Sequence, residues 1–495
     1  MKNIQILLVA ILIMTVPAAF AADNDEKIKM LEKRIEQLEK LLMEQKETTD
    51  TKMVEQEKKI SGVEELIEEN EERLSDVEIR AWTDRLSLGA EMLTRVTNTS
   101  FSSGWDSEPY AYNRYFGTPY DTHGKPYLTA EEAGVKEESS NFWTSRARIT
   151  FSGEAHERLR FRGSMTAFYN WADQDDDNSI RQPQQGRYPS SSSEMLLDKA
   201  YIEWDMAKGA VPATLLLGRQ PSFDGPPYEL KADSPRKSVY PQLFFDVVVD
   251  AAIVNFNLSN VTKIPGTGLR FTYAKTLQND VNAYYGRYMK DEEGMDGEVY
   301  GLFFETGLPF KIASNQLFVL GYYSINDFYG PNSQGLTTGD TVLGDMAFTG
   351  AHLQFDNIMR SGVDLFASYG QMKFTPEDDK AFFGTETDEQ TGRAFYAGVR
   401  YTLPSFKTKI GLEYNQGSEY WYRPVASDNP VEKLGTRGQA WELYFLQPML
   451  QNKLFLRGGI IQVAYDHTGS NTWYYPVMDT DYGINSMYLE LEARF

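Results

Sequence analysis

Arginine recurs at every second position in two neighbouring stretches, at 146 and 148 in SRARITF and at 158, 160 and 162 in RLRFRG. Side chains of an extended strand alternate between faces, so residues two apart share one. Ala147, Ile149 and Phe151 take the other face of the first stretch, and Leu159, Phe161 and Met165 that of the second. Arg146, Arg148, Arg158, Arg160 and Arg162 are therefore expected on one wall, with Arg270 joining them by parity on a later strand. A wall of fixed positive charge can select passing solutes; it makes and breaks no bonds. A second constellation lies in LLGRQPSFDGPPYELKADSPRKSVYPQ, where Asp224, Glu229 and Asp233 stand among Arg219, Lys231, Arg236 and Lys237. Pro221, Gly225, Pro226, Pro227 and Pro235 stiffen that segment.

Other chemistry finds little footing. Of the four histidines, parity points His352 to the arginine side and leaves His123, His156 and His467 in connections, so no serine–histidine pair faces lipid. Asp173, Asp175 and Asp177 fall at the first three ligand spacings of a calcium loop, but its glycine at position six and glutamate at twelve are missing. There is no nucleotide loop or cysteine/histidine cluster, and the chain is too short for a 22-stranded transporter with a plug domain. No catalytic residue, cofactor or metal is expected.

The elements that position these residues follow period two from Trp82 to the end. Strands are expected near 85–97, 142–152, 158–171, 196–206, 213–219, 245–258, 268–289 and 298–306, then near 316–325, 346–356, 362–373, 393–403, 407–416, 438–446, 453–465 and 486–495. Short connections such as GEAHE, MAKGAVP and LPSF alternate with long ones such as 98–141 and 220–244. Sixteen antiparallel strands with alternating short turns and long loops describe a transmembrane β-barrel, oily outside and wet within. A soluble β-sandwich or secreted glycan-binding enzyme needs neither that alternation nor the ending SMYLELEARF. There Met487, Leu489, Leu491, Ala493 and Phe495 share one face, and Tyr488, Glu490, Glu492 and Arg494 the other. A final strand closing on phenylalanine resembles the carboxy-terminal signal by which the barrel assembly machinery recognises its clients, with Phe495, Leu491 and Leu489 as its apolar positions.

The first 21 residues read as a secretory signal, with Lys2, an apolar stretch over 4–16 and Ala19, Phe20 and Ala21 as the cleavage site. Residues 22–81 read as a coiled coil. Ile28, Leu31, Ile35, Leu38 and Leu42 keep a heptad, and Met53, Ile60, Val63, Ile67, Asn70, Leu74 and Val77 resume it after a four-residue offset. That apolar seam implies a homo-oligomer. Its Ile/Leu pattern favours a dimer, the barrel favours a trimer, and both stay open. Residues 82–495 form the barrel.

The chain has no cysteine, so disulfides do not hold it, and a formal charge of −22 argues against nucleic acid. Past the signal no apolar run is long enough for a spanning helix. The expected partners are outer-membrane lipid, small solutes and other copies of the chain, with the coil in the periplasm. Selectivity stays undetermined: residues 82–495 carry 52 acids and 37 bases, whereas the clearest inward patch is basic.

One stretch also carries a resemblance. Leu216, Gly218, Arg219, Gln220 and Pro221, then Gly225, Pro226 and Pro227, then FFDVVVDAAIVNF with Asp246 and Asp250, resemble a family of uncharacterised predicted outer-membrane porins with an amino-terminal coiled coil. The motif likeness spans residues 214–256, and the layout most of the chain. It implies a porin-like barrel, passive diffusion of small solutes, and no particular substrate. The place of 220–244 as third long loop resembles that of the loop which trimeric general-diffusion porins fold into the lumen. An anchor with a narrow or plugged barrel, whose coil meets periplasmic partners or the cell wall, is the alternative.

Overall fold

The computed structural model describes residues 86–101, 138–171, 193–275, 297–329, 342–383, 386–424, 430–471, 473 and 477–495, with isolated positions at 33, 36, 40 and 43. Apart from those four positions, the expected signal segment and coiled coil lie outside the described residues.

Sixteen strands are described. The first eight are β1 (Leu86–Phe101), β2 (Glu138–His156), β3 (Leu159–Asn170), β4 (Ser193–Ala207), β5 (Ala213–Ser222), β6 (Val247–Asn257), β7 (Gly268–Lys275) and β8 (Glu298–Thr306). The second eight are β9 (Asn315–Tyr329), β10 (Val342–Asp356), β11 (Val363–Pro376), β12 (Gln390–Thr402), β13 (Lys409–Gly417), β14 (Gly438–Met449), β15 (Leu454–Tyr465) and β16 (Gly483–Arg494). Each is antiparallel to the next, and β16 returns to β1, so the sheet is a closed barrel. Closure sets Glu91 opposite Arg494 and Val96 opposite Leu489. Phe495 and Ala90 exchange backbone hydrogen bonds at the seam.

Every expected strand position holds a strand. β5 runs on to Ser222 rather than stopping at 219, and β7 is described to Lys275, with 276–289 outside the described residues.

The alternation is inside-out relative to a soluble protein. Along β14, Ala440, Glu442 and Tyr444 are buried while Trp441, Leu443 and Phe445 are exposed. Glu442 is 0% exposed and Leu443 52%. In water each such exposed side chain would forgo roughly 1.5–3 kcal/mol of burial. The pattern repeats around the ring, at Leu88, Ile149, Leu217, Phe271, Leu320, Leu412 and Leu489.

A hydrophobic core lies within the barrel. Phe244, on the connection from β5 to β6, meets Phe348 of β10 at 4.9 Å between ring centroids, and Phe348 stacks on Tyr323 of β9 at 5.0 Å. Gly321, Gly350 and Gly370 stand side by side in register on β9, β10 and β11 and make a trough for these rings. A β-carbon on Gly350 would come within 2.6 Å of Phe244 Cε1, and one on Gly370 within 2.9 Å of Phe348 Cε2. Toward the long-loop rim Phe374, Phe382, Phe383, Trp421 and Trp473 continue the cluster.

Candidate permeation site inside the barrel

The connection 223–246 leaves β5, turns inward and lies within the ring of strands. Its two arms touch where Gln242 donates its backbone N–H to the Pro226 carbonyl at 2.8 Å. Gly225 is required there, since a β-carbon would fall 1.7 Å from the Tyr240 carbonyl oxygen. A one-turn helix, α1 (Tyr228–Ala232), forms the innermost part. Tyr228, Leu230, Lys231 and Ala232 in it are buried.

Charge holds this loop to strands on every side. Lys231 Nζ lies 2.5 Å from Glu442 on β14, and Asp233 pairs with Lys409 on β13. Arg494 on β16 donates to the carbonyls of Ala232 and Asp233 at 2.7 and 3.0 Å. Gln354 on β10 donates to Glu229 at 3.1 Å. Arg236 approaches Glu305 on β8 at 3.4 Å, and Lys237 approaches Glu91 on β1 at 3.2 Å. Asp224 faces Arg148 on β2 at 3.8 Å. At the loop root Asp246 is buried, accepts the Asp224 N–H at 2.9 Å and stands 4.0 Å from Arg423. Burial pushes the Asp246 carboxyl up to about 8, against the pull of Arg423.

Six of the seven residues expected in this loop lie in it; Arg219 does not. It belongs to β5, opposite Asp250 of β6, with Nε 3.0 Å from Asp250 Oδ1. Parity with Leu215 and Leu217 places that pair on the outer face. The reason is the length of β5, which delays the inward turn past Pro221.

The arginine wall also differs from expectation. All six arginines stand on the inner parity or at its edge, but they split into separate groups. Arg146 and Arg148 are buried beside the loop, with Glu91 at 3.9 and 3.4 Å. Arg160 and Arg162, nearer the short-turn rim, share Glu203 on β4 at 3.3 and 2.8 Å. Arg160 also reaches Asp205 at 3.0 Å. Arg158 sits in the turn and donates to the carbonyls of Asp205 and Met206. Arg270 on β7 pairs with Glu305 at 2.9 Å. His352 faces inward, is buried and hydrogen-bonds Ser368 and Gln354. At the other end of the chain Leu489, Leu491 and Phe495 are exposed on the outer face of the closing strand.

Sequence reasoning missed the carboxylates that neutralise the wall, and it missed Asp198 and Lys199. The register between β3 and β4 shifts so that Ser164 opposes Lys199 while Met165 opposes Leu197. Both Asp198 and Lys199 consequently face the lumen. The signal was present: Met195 and Leu197 keep one parity and Ile202 and Trp204 the other, and such a break of phase marks a bulge.

The fold and site define a sixteen-stranded barrel of membrane type with an inward loop. Residues 136–488 match the model of the family described as "Protein of unknown function (DUF3373)", and the chain belongs to that family. No curated protein matches. Similar solved structures include OprB of Pseudomonas putida at high pH, 13% identical at a TM-score of 0.49 over 84% of this chain and 96% of that one. OmpF of Salmonella typhi in complex with daunomycin is 11% identical at 0.44, over 83% and 97%. An anion-selective porin from Comamonas acidovorans is 10% identical at 0.44, over 83% and 99%.

Proposed function

We propose that this protein is an outer-membrane porin through which small polar or charged solutes diffuse passively. The observation that carries the reading is the inverted barrel, with leucine, phenylalanine and tyrosine outside and fixed charges inside. Lipid suits the first face and water the second. Arg160, Arg162, Glu203 and Asp205 supply the more open stretch of inner wall, with Arg162 49% exposed. The loop narrows the route above them, so passage favours small solutes. In this reading residues 22–81 extend into the periplasm and hold copies together, as a trimer in preference to a dimer. Leu489, Leu491 and Phe495 serve the assembly machinery.

One observation favours a second reading. The loop is anchored to β1, β2, β8, β10, β13, β14 and β16, which suits a narrow or plugged barrel acting as a structural anchor. Swelling of proteoliposomes in sugars and amino acids of increasing size separates the two. A porin gives swelling that falls with solute size; vesicles that stay inert to the smallest solutes favour the anchor.

A further inference from the structure

The short turns share a composition that has no part in permeation. In a chain of net charge −22, the turns 208–212, 258–267, 307–314, 357–362, 403–408 and 450–453 hold six bases and no acid. Each has one base: Lys208, Lys263, Lys311, Arg360, Lys407 or Lys453, and all six are exposed. Lys208 meets Glu157 of the turn between β2 and β3 at 3.1 Å, and the other five take part in no ion pair among the described residues. Each turn also exposes a large apolar side chain: Val211, Val261, Phe310, Met359, Phe406 or Leu450. In three turns the two are adjacent, as Phe310 and Lys311, Met359 and Arg360, and Phe406 and Lys407.

Two of these tips are held at a backbone cost. Met359 and Leu450 have φ of 48° and 47°, in the left-handed region that glycine or asparagine ordinarily fills. They are 79% and 72% exposed, so in water they would combine backbone strain with bare apolar surface. A medium that takes up the side chain offsets both. Strands β4 to β15 follow one another round the closed barrel, so the six turns form an arc along its rim. The arc is continuous with the outer face: Tyr401 and Ile410, paired across β12 and β13 and both exposed, lie directly beside the Phe406 turn.

We propose that the short-turn rim binds the headgroups of anionic phospholipids. At each turn the apolar side chain enters the acyl boundary and the cation meets a lipid phosphate, the pairing by which interfacial segments hold anionic bilayers. Lipid fits better than an acidic protein, because the motif recurs along the whole arc and continues the outer face, whereas a protein would need one patch. The inference rests on the membrane-barrel reading and holds whether or not the lumen conducts.

The test is electron spin resonance of spin-labelled phosphatidylglycerol and phosphatidylcholine around the full chain in phosphatidylcholine vesicles. The wild type is expected to prefer phosphatidylglycerol, each cation weighting its own site about five-fold. The preference should vanish at about 1 M salt, where the screening length falls to about 3 Å. Lys263→Gln, Lys311→Gln, Arg360→Gln, Lys407→Gln and Lys453→Gln combined should bring the two lipids to parity. Lys263→Arg, Lys311→Arg, Lys407→Arg and Lys453→Arg combined should keep the preference, as should Lys373→Gln, whose lysine pairs with Glu389 near the long-loop rim. The chain has no cysteine, so Phe406→Cys carries a single environment-sensitive dye. Its emission should shift to the blue in vesicles; an emission that stays aqueous overturns the insertion of the tips. Equal association of the two lipids, a preference unmoved in the five-site Gln variant, or one removed by millimolar inorganic phosphate at constant ionic strength overturns the proposal and leaves the barrel in the membrane. A chain that stays out of the vesicles overturns the membrane reading itself.

Discussion

Two sides of the same lumen are built on one alternation and end in opposite states. On β2, β3 and β4 the inward positions are Arg146, Arg148, Arg162, Thr166, Lys199 and Glu203, and the wall is a field of shared ion pairs. On β9, β10 and β11 they include Val319, Gly321, Tyr323, Phe348, Gly350 and Phe366, an apolar stretch that gives way to His352, Gln354 and Ser368 toward the short-turn rim. The loop 223–246 meets both, presenting Asp224 and Lys237 to the first and Leu243 and Phe244 to the second. The apolar contacts fix where the loop lies, because burial is non-directional and favours the largest contact. The polar contacts fix what a solute would meet.

The largest effect is expected on the apolar side. Phe348→Ala removes the ring that touches Phe244, Tyr323 and Trp421 and should cost about 3–5 kcal/mol. A fall in the unfolding midpoint in detergent checks it; an unchanged midpoint would mean the core does not hold the barrel. A smaller loss is expected at the seam, where buried Arg95 donates to Glu490 at 2.5 Å. Arg95→Met should cost about 1.5–3 kcal/mol, read in the same unfolding experiment.

Asp246 ties the apolar side to pH. Its carboxyl lies at about 8 in the folded chain against an ordinary 3.8, so folding takes up a proton. That contribution is complete below about pH 4 and is lost as pH rises through about 8. Loop protection in hydrogen exchange should fall progressively from about pH 4 to about pH 8 in the wild type and stay level in Asp246→Asn. The smallest change in stability is expected on the charged side. Arg160→Ala with Arg162→Ala breaks partly exposed pairs worth about 0.2–1 kcal/mol each, yet should move the reversal potential toward cations. An unmoved potential would show that permeating ions do not sense this wall.

The barrel was legible in sequence and the lumen only in part. Alternation in stretches such as GQAWELYFL fixes which side chains face out, since a slip by one residue would turn Trp441, Leu443 and Phe445 inward. The inward direction of Arg146, Arg148, Arg160, Arg162 and Arg270 was legible for the same reason, but not their division into separate groups or the place of Arg158 in a turn. Their carboxylate partners were not, because Glu91, Glu203 and Glu305 are remote in sequence and meet them only through strand register. Arg219 was misread because GRQP looks like the start of a loop although β5 continues through it. Lys199 was hidden by one inserted residue in β4. The inner glycines 321, 350 and 370 are ordinary strand residues until the ring they seat is known.

The most direct measurement is single-channel conductance of the purified full chain in planar bilayers. Discrete, long-lived open steps, small beside those of an unobstructed barrel of sixteen strands, are the predicted result. A barrel that inserts, resists unfolding and passes no current would contradict it.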